Sequence, residues 1–315
     1  MAANRPFLAL TIDLDEWYHC RWATGSPRAI WSSTAQVFRD VYHADRPIGE
    51  LVGPTQWLLA RLGERRIRAT FFVLGEIAQW YPDLIAQIAA AGHEIACHGM
   101  HHVNMTWYTE PCFTTQLRQA KAILEDLAGR SIVGFRAPNF VVAPYLGRVL
   151  QKLNFRYDSS VCPTWSVFRR GRRFGNAPRQ PYEADVANLA QPGTSGLIEL
   201  PIATPMGLAL PGGTGIMARV AGARWARMAI NYRLSGGAAM FYCHPYELTP
   251  ARDARWPKDL PLRTRSFLRR TGDYLRRFLI ELMDRQDVTH VPAGELAYSF
   301  RRARPAMVPG HPAPA

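Results

Sequence analysis

Between residues 8 and 291 the chain alternates, about seven times, between a short apolar run and a stretch with helical periodicity. The runs cover residues 8–12, 68–74, 94–97, 132–135, 155–157, 197–201, 238–243 and 287–291. Between them, apolar residues recur at helical spacing, as in Leu84, Ile85 and Ile88, or Leu117, Ala120, Leu124 and Leu127. Pro54 and Pro82 suit first helical turns, and Gly92 and Gly129 suit helix ends. A strand that returns through a helix pairs in parallel with the next strand. The pattern therefore predicts an α/β fold with a parallel sheet, as a closed or distorted barrel or a doubly wound sheet. No internal repeat or domain boundary is visible. We expect one domain over residues 1–303, with irregular insertions near 20–52 and 164–192, and a Pro/Ala-rich disordered tail at 304–315.

In such sheets, residues just past the C-terminal strand ends converge in space. Here those positions carry chemistry. The first run ends in Asp13, Asp15 and Glu16, three acids that cannot all ionise in one dry pocket without a cation. The third runs into C-H-G-M-H-H (97–102). His98 and His102, four apart, would share a face of a helical turn and chelate one ion, with His101 as the spare. Arg136 follows the fourth run, where Pro138 makes Ala137 extended. His244 follows the run 238–243 and is fixed by Pro245. A loop P-G-G-T-G (211–215) lacks the Gly-Lys-Ser/Thr ending of a phosphate loop, so nucleotide binding is weakly supported.

These segments, T-I-D-L-D-E-W-Y-H (11–19), H-G-M-H-H (98–102), R-A-P-N-F (136–140) and F-Y-C-H-P-Y-E (241–247), resemble the NodB-type polysaccharide deacetylases, carbohydrate esterase family 4. The segments R-A-T-F-F-V-L-G, A-G-H-E-I-A-C-H-G, F-R-Y-D-S-S and L-I-E-L-P extend the resemblance over about residues 7–295, and the branch linked to bacterial exopolysaccharide biosynthesis is the most similar. The resemblance implies a distorted (β/α)7 barrel, one divalent metal ion, usually zinc, and removal of an N-acetyl group from an amino sugar by a metal-bound water. It implies Asp13 as general base, Asp15, His98 and His102 as metal ligands, Arg136 as the residue orienting the base, and His244 as general acid. The common family version has adjacent aspartates. Here Leu14 separates them, so Asp15 is favoured over Glu16 as ligand. The family's aspartate that tunes the acid histidine has no clear counterpart, and Asp158 and Glu199 are candidates. Trp17, His19, Pro138, Asn139 and Tyr246 are further candidates for substrate contact.

The formal charge is +13, carried almost wholly by arginine, since Lys121, Lys152 and Lys258 are the only lysines. Arginine suits phosphate and carboxylate partners. Residues 252–304 hold 13 Lys/Arg against 7 Asp/Glu, which suits an anionic leaflet. The aromatics form no nucleic-acid reader motif, so no nucleic-acid partner is expected. Five cysteines, an odd number without CxxC spacing, argue against a disulfide framework and for a reducing compartment. With a first strand about six residues from Met1, we expect a cytoplasmic enzyme, peripheral at the inner membrane face, acting on a polysaccharide, an oligosaccharide or a lipid- or nucleotide-linked precursor, phosphate-bearing in the last case. The alternatives are hydrolysis of another C–N bond, in a cyclic imide, ureide or formamide, and a non-catalytic carbohydrate-binding module.

Overall fold

The computed structural model describes residues 5–20, 23–24, 29–164, 174–205 and 210–303. The expected tail and the arginine cluster at 169–173 lie outside the described residues. Nine strands, β1 (Phe7–Leu14), β2 (Thr70–Val73), β3 (Glu94–Cys97), β4 (Gly134–Phe135), β5 (Tyr157–Asp158), β6 (Tyr182–Glu183), β7 (Ile198–Glu199), β8 (Ala238–Cys243) and β9 (Thr289–His290), form one sheet. Their order is β6-β7-β5-β4-β3-β2-β1-β8, with β9 paired to β1. Every pairing is parallel except β6 with β7. The sheet curls into the distorted barrel that the alternation and the resemblance imply. Its outer strands approach through single bonds rather than a ladder, Ala203 N donating to Met240 O at 3.3 Å and Tyr242 N to Gly213 O at 3.0 Å. The P-G-G-T segment has a structural job there. A Cβ on Gly213 would lie 2.6 Å from Ala203 Cβ and 2.8 Å from Met240 O.

Strand periodicity divides β1 between two cores. Leu8, Leu10, Ile12 and Leu14 pack outward against the helices, with Leu58, Leu62, Ile85 and Leu117. Ala9 belongs to an inner cluster with Phe72, Ala96, Tyr157, Ile198, Met240 and Tyr242. Period two then puts Thr11 and Asp13 on the inner side. Gly134 admits the ring of Tyr157, which a Cβ would meet at 2.0 Å.

The sequence expectations need four corrections. The insertion at 20–52 contains a helix, Thr34–Tyr42, capped by the Ser33 hydroxyl and burying Val37 and Phe38. The described part of the insertion at 164–192 contains β6, whose two residues are too few to show a period. The sequence predicts one helix over about 217–234 and another over about 265–285; the first is two, Gly215–Val220 and Ala223–Leu234, and so is the second, Leu262–Phe267 and Asp273–Met283. Gly222 and Gly272 break them at φ of +98° and +76°, where a right-handed helix cannot continue. Two further helices, Gly75–Trp80 and Ala293–Ala303, went unread.

Candidate active site

Asp15, His98 and His102 are all buried, and one donor atom from each lies within 4.8 Å of the others. Asp15 and His98 directly follow the C-terminal ends of β1 and β3, and His102 lies in the bend after β3. Because Leu14 turns outward, Asp13 and Asp15 are both available to the inner side, which an adjacent pair on a strand would not be. The histidines do not share a helical turn, as the spacing suggested. Residues 98–104 are an irregular bend with Gly99 at φ +100°. The bend is tied to the start of the helix Gly75–Trp80, which follows β2, by Gly75 N to Gly99 O at 2.9 Å and Glu76 N to Met100 O at 3.0 Å. The imidazoles still meet, with ring centroids 5.3 Å apart.

The hydrogen bonds decide which atoms are free. His98 Nδ1 lies 2.7 Å from the carbonyl oxygen of Arg136. A carbonyl only accepts, so Nδ1 carries the proton and Nε2 keeps its lone pair for an ion. His102 Nε2 is 3.4 Å from Asp15 Oδ2. Asp15 Oδ1 is buried with no hydrogen-bond partner among the described residues. Burial pushes Asp15 up to about 7, against the pull of His244 and His19. It pulls His98 down to about 4, and His102 well down, helped by His98. An orphaned carboxylate oxygen beside two neutral imidazoles is the donor set a divalent ion fits. Glu16 takes no part. Its Oε1 accepts from Tyr81 at 3.2 Å, and burial, then Glu50, pushes it up to about 8.

Asp13 is held by Arg136 instead. Arg136 is wholly buried and donates through Nη1 to Asp13 Oδ1 at 2.5 Å and Thr11 Oγ1 at 3.0 Å, and through Nη2 to Ser159 Oγ at 3.0 Å. Its guanidinium sits 4.0 Å from the Phe72 ring centroid. Pro138 follows, with Ala137 extended as expected at ψ 132°.

His244 closes the site, its Nε2 4.0 Å from Asp15 Oδ1. Its Nδ1 is 2.9 Å from Glu247 Oε2, and Arg219 donates to Glu247 Oε1 through Nε at 3.0 Å and Nη2 at 2.6 Å. Burial acts to lower the imidazole, but Asp15 and the Glu247 bond outweigh it and raise His244 to about 9. Burial acts to raise Glu247, and Arg219 and His244 hold it down at about 2.

Glu247 therefore stands where Asp158 or Glu199 was expected. Those two are fully buried but engaged elsewhere, Asp158 Oδ1 with Ser160 Oγ at 2.6 Å and Glu199 Oε1 with Val161 N at 2.9 Å. The signal was present in H-P-Y-E, since a turn begun at His244 brings its fourth residue back to it.

Of the other candidates, Tyr246 stacks on His244 at 5.0 Å. His19 lies 5.9 Å from His102, ring to ring, with Nε2 3.5 Å from Glu76 Oε1. Asn139 is at φ +55° between Pro138 and Phe140. Trp17 is not brought to the site. It is buried among Tyr18, Trp31 and Phe38, with Nε1 donating to Tyr42 at 2.7 Å. His101 points away to Glu76, its Nδ1 at 3.1 Å from Oε2. Glu76, unread in the sequence, is a buried carboxylate that these histidines hold at about 2 although burial acts to raise it.

The family model for polysaccharide deacetylase matches residues 45–157, and a model for a domain of unknown function, DUF3473, matches residues 159–290. The chain is 35% identical over 97 residues to a peptidoglycan-N-acetylglucosamine deacetylase of Bacillus cereus, 31% of this chain and 33% of the relative. It is 33% identical over 107 residues to a chitooligosaccharide deacetylase of Azorhizobium caulinodans, 34% of this chain and 49% of the relative. The matches thus span about a third to a half of these relatives' lengths. A solved structure assigned to the polysaccharide deacetylases from Mycobacterium smegmatis shares the fold at TM-score 0.61 and 23% identity, over 96% of this chain and 92% of that one. PuuE allantoinase shares it at TM-score 0.62 and 16% identity, over the same shares. Over residues 45–157 the chain thus matches the polysaccharide deacetylase family, on a fold that a solved structure of that assignment shares.

Proposed function

We propose that the chain hydrolyses the N-acetyl group of an amino sugar within a glycan or glycan precursor. The observation that carries this reading is the buried Asp15–His98–His102 cluster, flanked by a carboxylate held by arginine and an imidazole held by glutamate. Two nitrogens and one oxygen favour zinc as the ion. When bound, the ion supplies Lewis-acid polarisation of the acetyl carbonyl and of water.

The protein's own groups do the proton work. Asp13, kept in place by Arg136, accepts a proton from the attacking water. His244 donates a proton to the departing amine, a poor leaving group that needs one. Glu247 holds the imidazole through Nδ1 and so directs Nε2–H toward the reacting bond. Tyr246, stacked on His244, shields that face from water.

The relatives' printed names speak of peptidoglycan and chitooligosaccharides. For this chain we favour a precursor of an exopolysaccharide, phosphate-bearing and membrane-associated, because of the arginine-rich charge. An odd number of cysteines without CxxC spacing suits a reducing, cytoplasmic location. The test is acetate release from N-acetylated saccharides and lipid-linked saccharides by the zinc-loaded protein. Acetate release that His98→Ala abolishes is expected. Release of ammonia, urea or formate from ureides or formamides, with no acetate from any saccharide, would transfer the reading to the other C–N hydrolases.

A further inference from the structure

The segment between Glu247 and Gly272 leaves the strand end that carries His244 and returns to it. Its base is pinned by Gly272 N to Glu247 O at 2.8 Å. Its middle is tied down by Arg255 N to Glu50 Oε1 at 3.1 Å and by Leu260, buried with Trp17, Tyr18 and Tyr246. It is therefore an ordered excursion on the catalytic end of the barrel.

Its outer surface is basic. Arg252, Arg255, Lys258, Arg265, Arg269 and Arg270 are exposed, against exposed Asp253 and Asp259. Arg252 pairs with Asp253 at 3.7 Å. Among the described residues the other five cations form no ion pair. Leu262, at 78%, is the most exposed large apolar residue described. It lies three and seven positions before Arg265 and Arg269, on one helical face and its continuation. Val220, 56% exposed, joins them, because Arg219 Nη1 donates to Arg269 O and Arg270 Nη1 to Arg219 O at 3.3 Å.

We propose that this excursion is a docking surface for an anionic lipid leaflet, which sets the mouth of the site against membrane-borne glycan. Unpaired cations supply the attraction, and protruding Leu262 and Val220 supply apolar contacts that only a lipid interface rewards. No described helix is long and apolar enough to cross a membrane; the contact proposed is that of a surface with a leaflet. The inference rests on the proposed deacetylation only for what lies on the membrane; the surface binds lipid whether or not that chemistry is correct.

The experiment is flotation of the full chain with vesicles of neutral phosphatidylcholine, with and without 30% anionic lipid (about the anionic share that gives a leaflet surface potential). Binding to the anionic vesicles only is expected, lost at high salt. Arg265→Gln with Arg269→Gln should weaken it by roughly 25-fold, at about fivefold per charge. Leu262→Ser should weaken it without altering charge. Acetate release from a soluble saccharide should be unchanged in both variants. Equal binding to neutral vesicles, binding that ignores salt, or undiminished binding by both the double variant and Leu262→Ser would overturn the proposal. So would binding of RNA or an anionic polysaccharide with no flotation. Flotation without acetate release would instead count against the deacetylase reading alone.

Discussion

Glu247 Oε2 lies 2.9 Å from Nδ1 of His244, three residues away in one turn, while its other oxygen is gripped by buried Arg219. A single glutamate thus links a structural ion pair to the imidazole proposed as acid. With His244 raised to about 9, the imidazole is charged at neutral pH and has a proton to give.

Glu247→Gln should remove that support. His244 would fall toward its ordinary value of about 6.5, so the alkaline limb of the pH–rate profile should move down by one unit or more. Turnover near pH 7.5 should fall about tenfold or more. An unmoved limb would refute the role. The pair also contributes to stability within a window. The raised His244 contributes fully below about pH 6.5 and loses its share as pH rises through about 9. The lowered Glu247 contributes above about 4.5 and loses its share as pH falls through about 2.

Asp13 and Asp15 should separate by assay. Asp13→Asn is expected to retain bound zinc and lose about 10²–10⁴ in kcat. Asp15→Asn and His98→Ala should lower zinc content itself, measured by elemental analysis after dialysis. Near-full turnover by Asp13→Asn would remove it as the base.

Glu16→Gln should leave zinc binding unchanged within about twofold. Burial already raises Glu16 to about 8, so an amide replaces a largely protonated acid. Loss of the metal in this variant would reverse the choice between Glu16 and Asp15.

Arg136→Met strands the Asp13 charge in a buried site. We expect about 3–5 kcal/mol of destabilisation by denaturant unfolding. Adding Asp13→Asn should recover part of it. Strict additivity would show that the pair at 2.5 Å is not energetically coupled.

Gly134→Ala forces a Cβ against the Tyr157 ring and should cost about 1–3 kcal/mol, read as a lower Tm. No change in Tm would mean that the barrel interior yields there without cost.

Much of this architecture is legible in the one-dimensional chain because it rests on periodicity and on short-range chemistry. Buried parallel strands must be continuously apolar, so β1, β3 and β8 stand out, two of them with the expected ends. The C-terminal ends of β1, β3, β4 and β8 display Asp13, His98, Arg136 and His244 in order. Other features depend on contacts no local pattern encodes. β6 is two residues whose only reason to be extended is β7 beside it. The choice of Asp15 over Glu16 depends on where Tyr81 and Glu50 stand. The proton on His98 Nδ1 is set by a carbonyl 38 residues away. Asp158 and Glu199 look like partners for His244 by strand position, yet Asp158 bonds Ser160 two residues on and Glu199 bonds Val161 beyond the neighbouring strand β5. Local sequence determines which groups the chain can offer at a strand end. Only the closed curl of the sheet decides which of them meet, because burial removes water as a competing partner and leaves each polar atom to the nearest one the fold supplies.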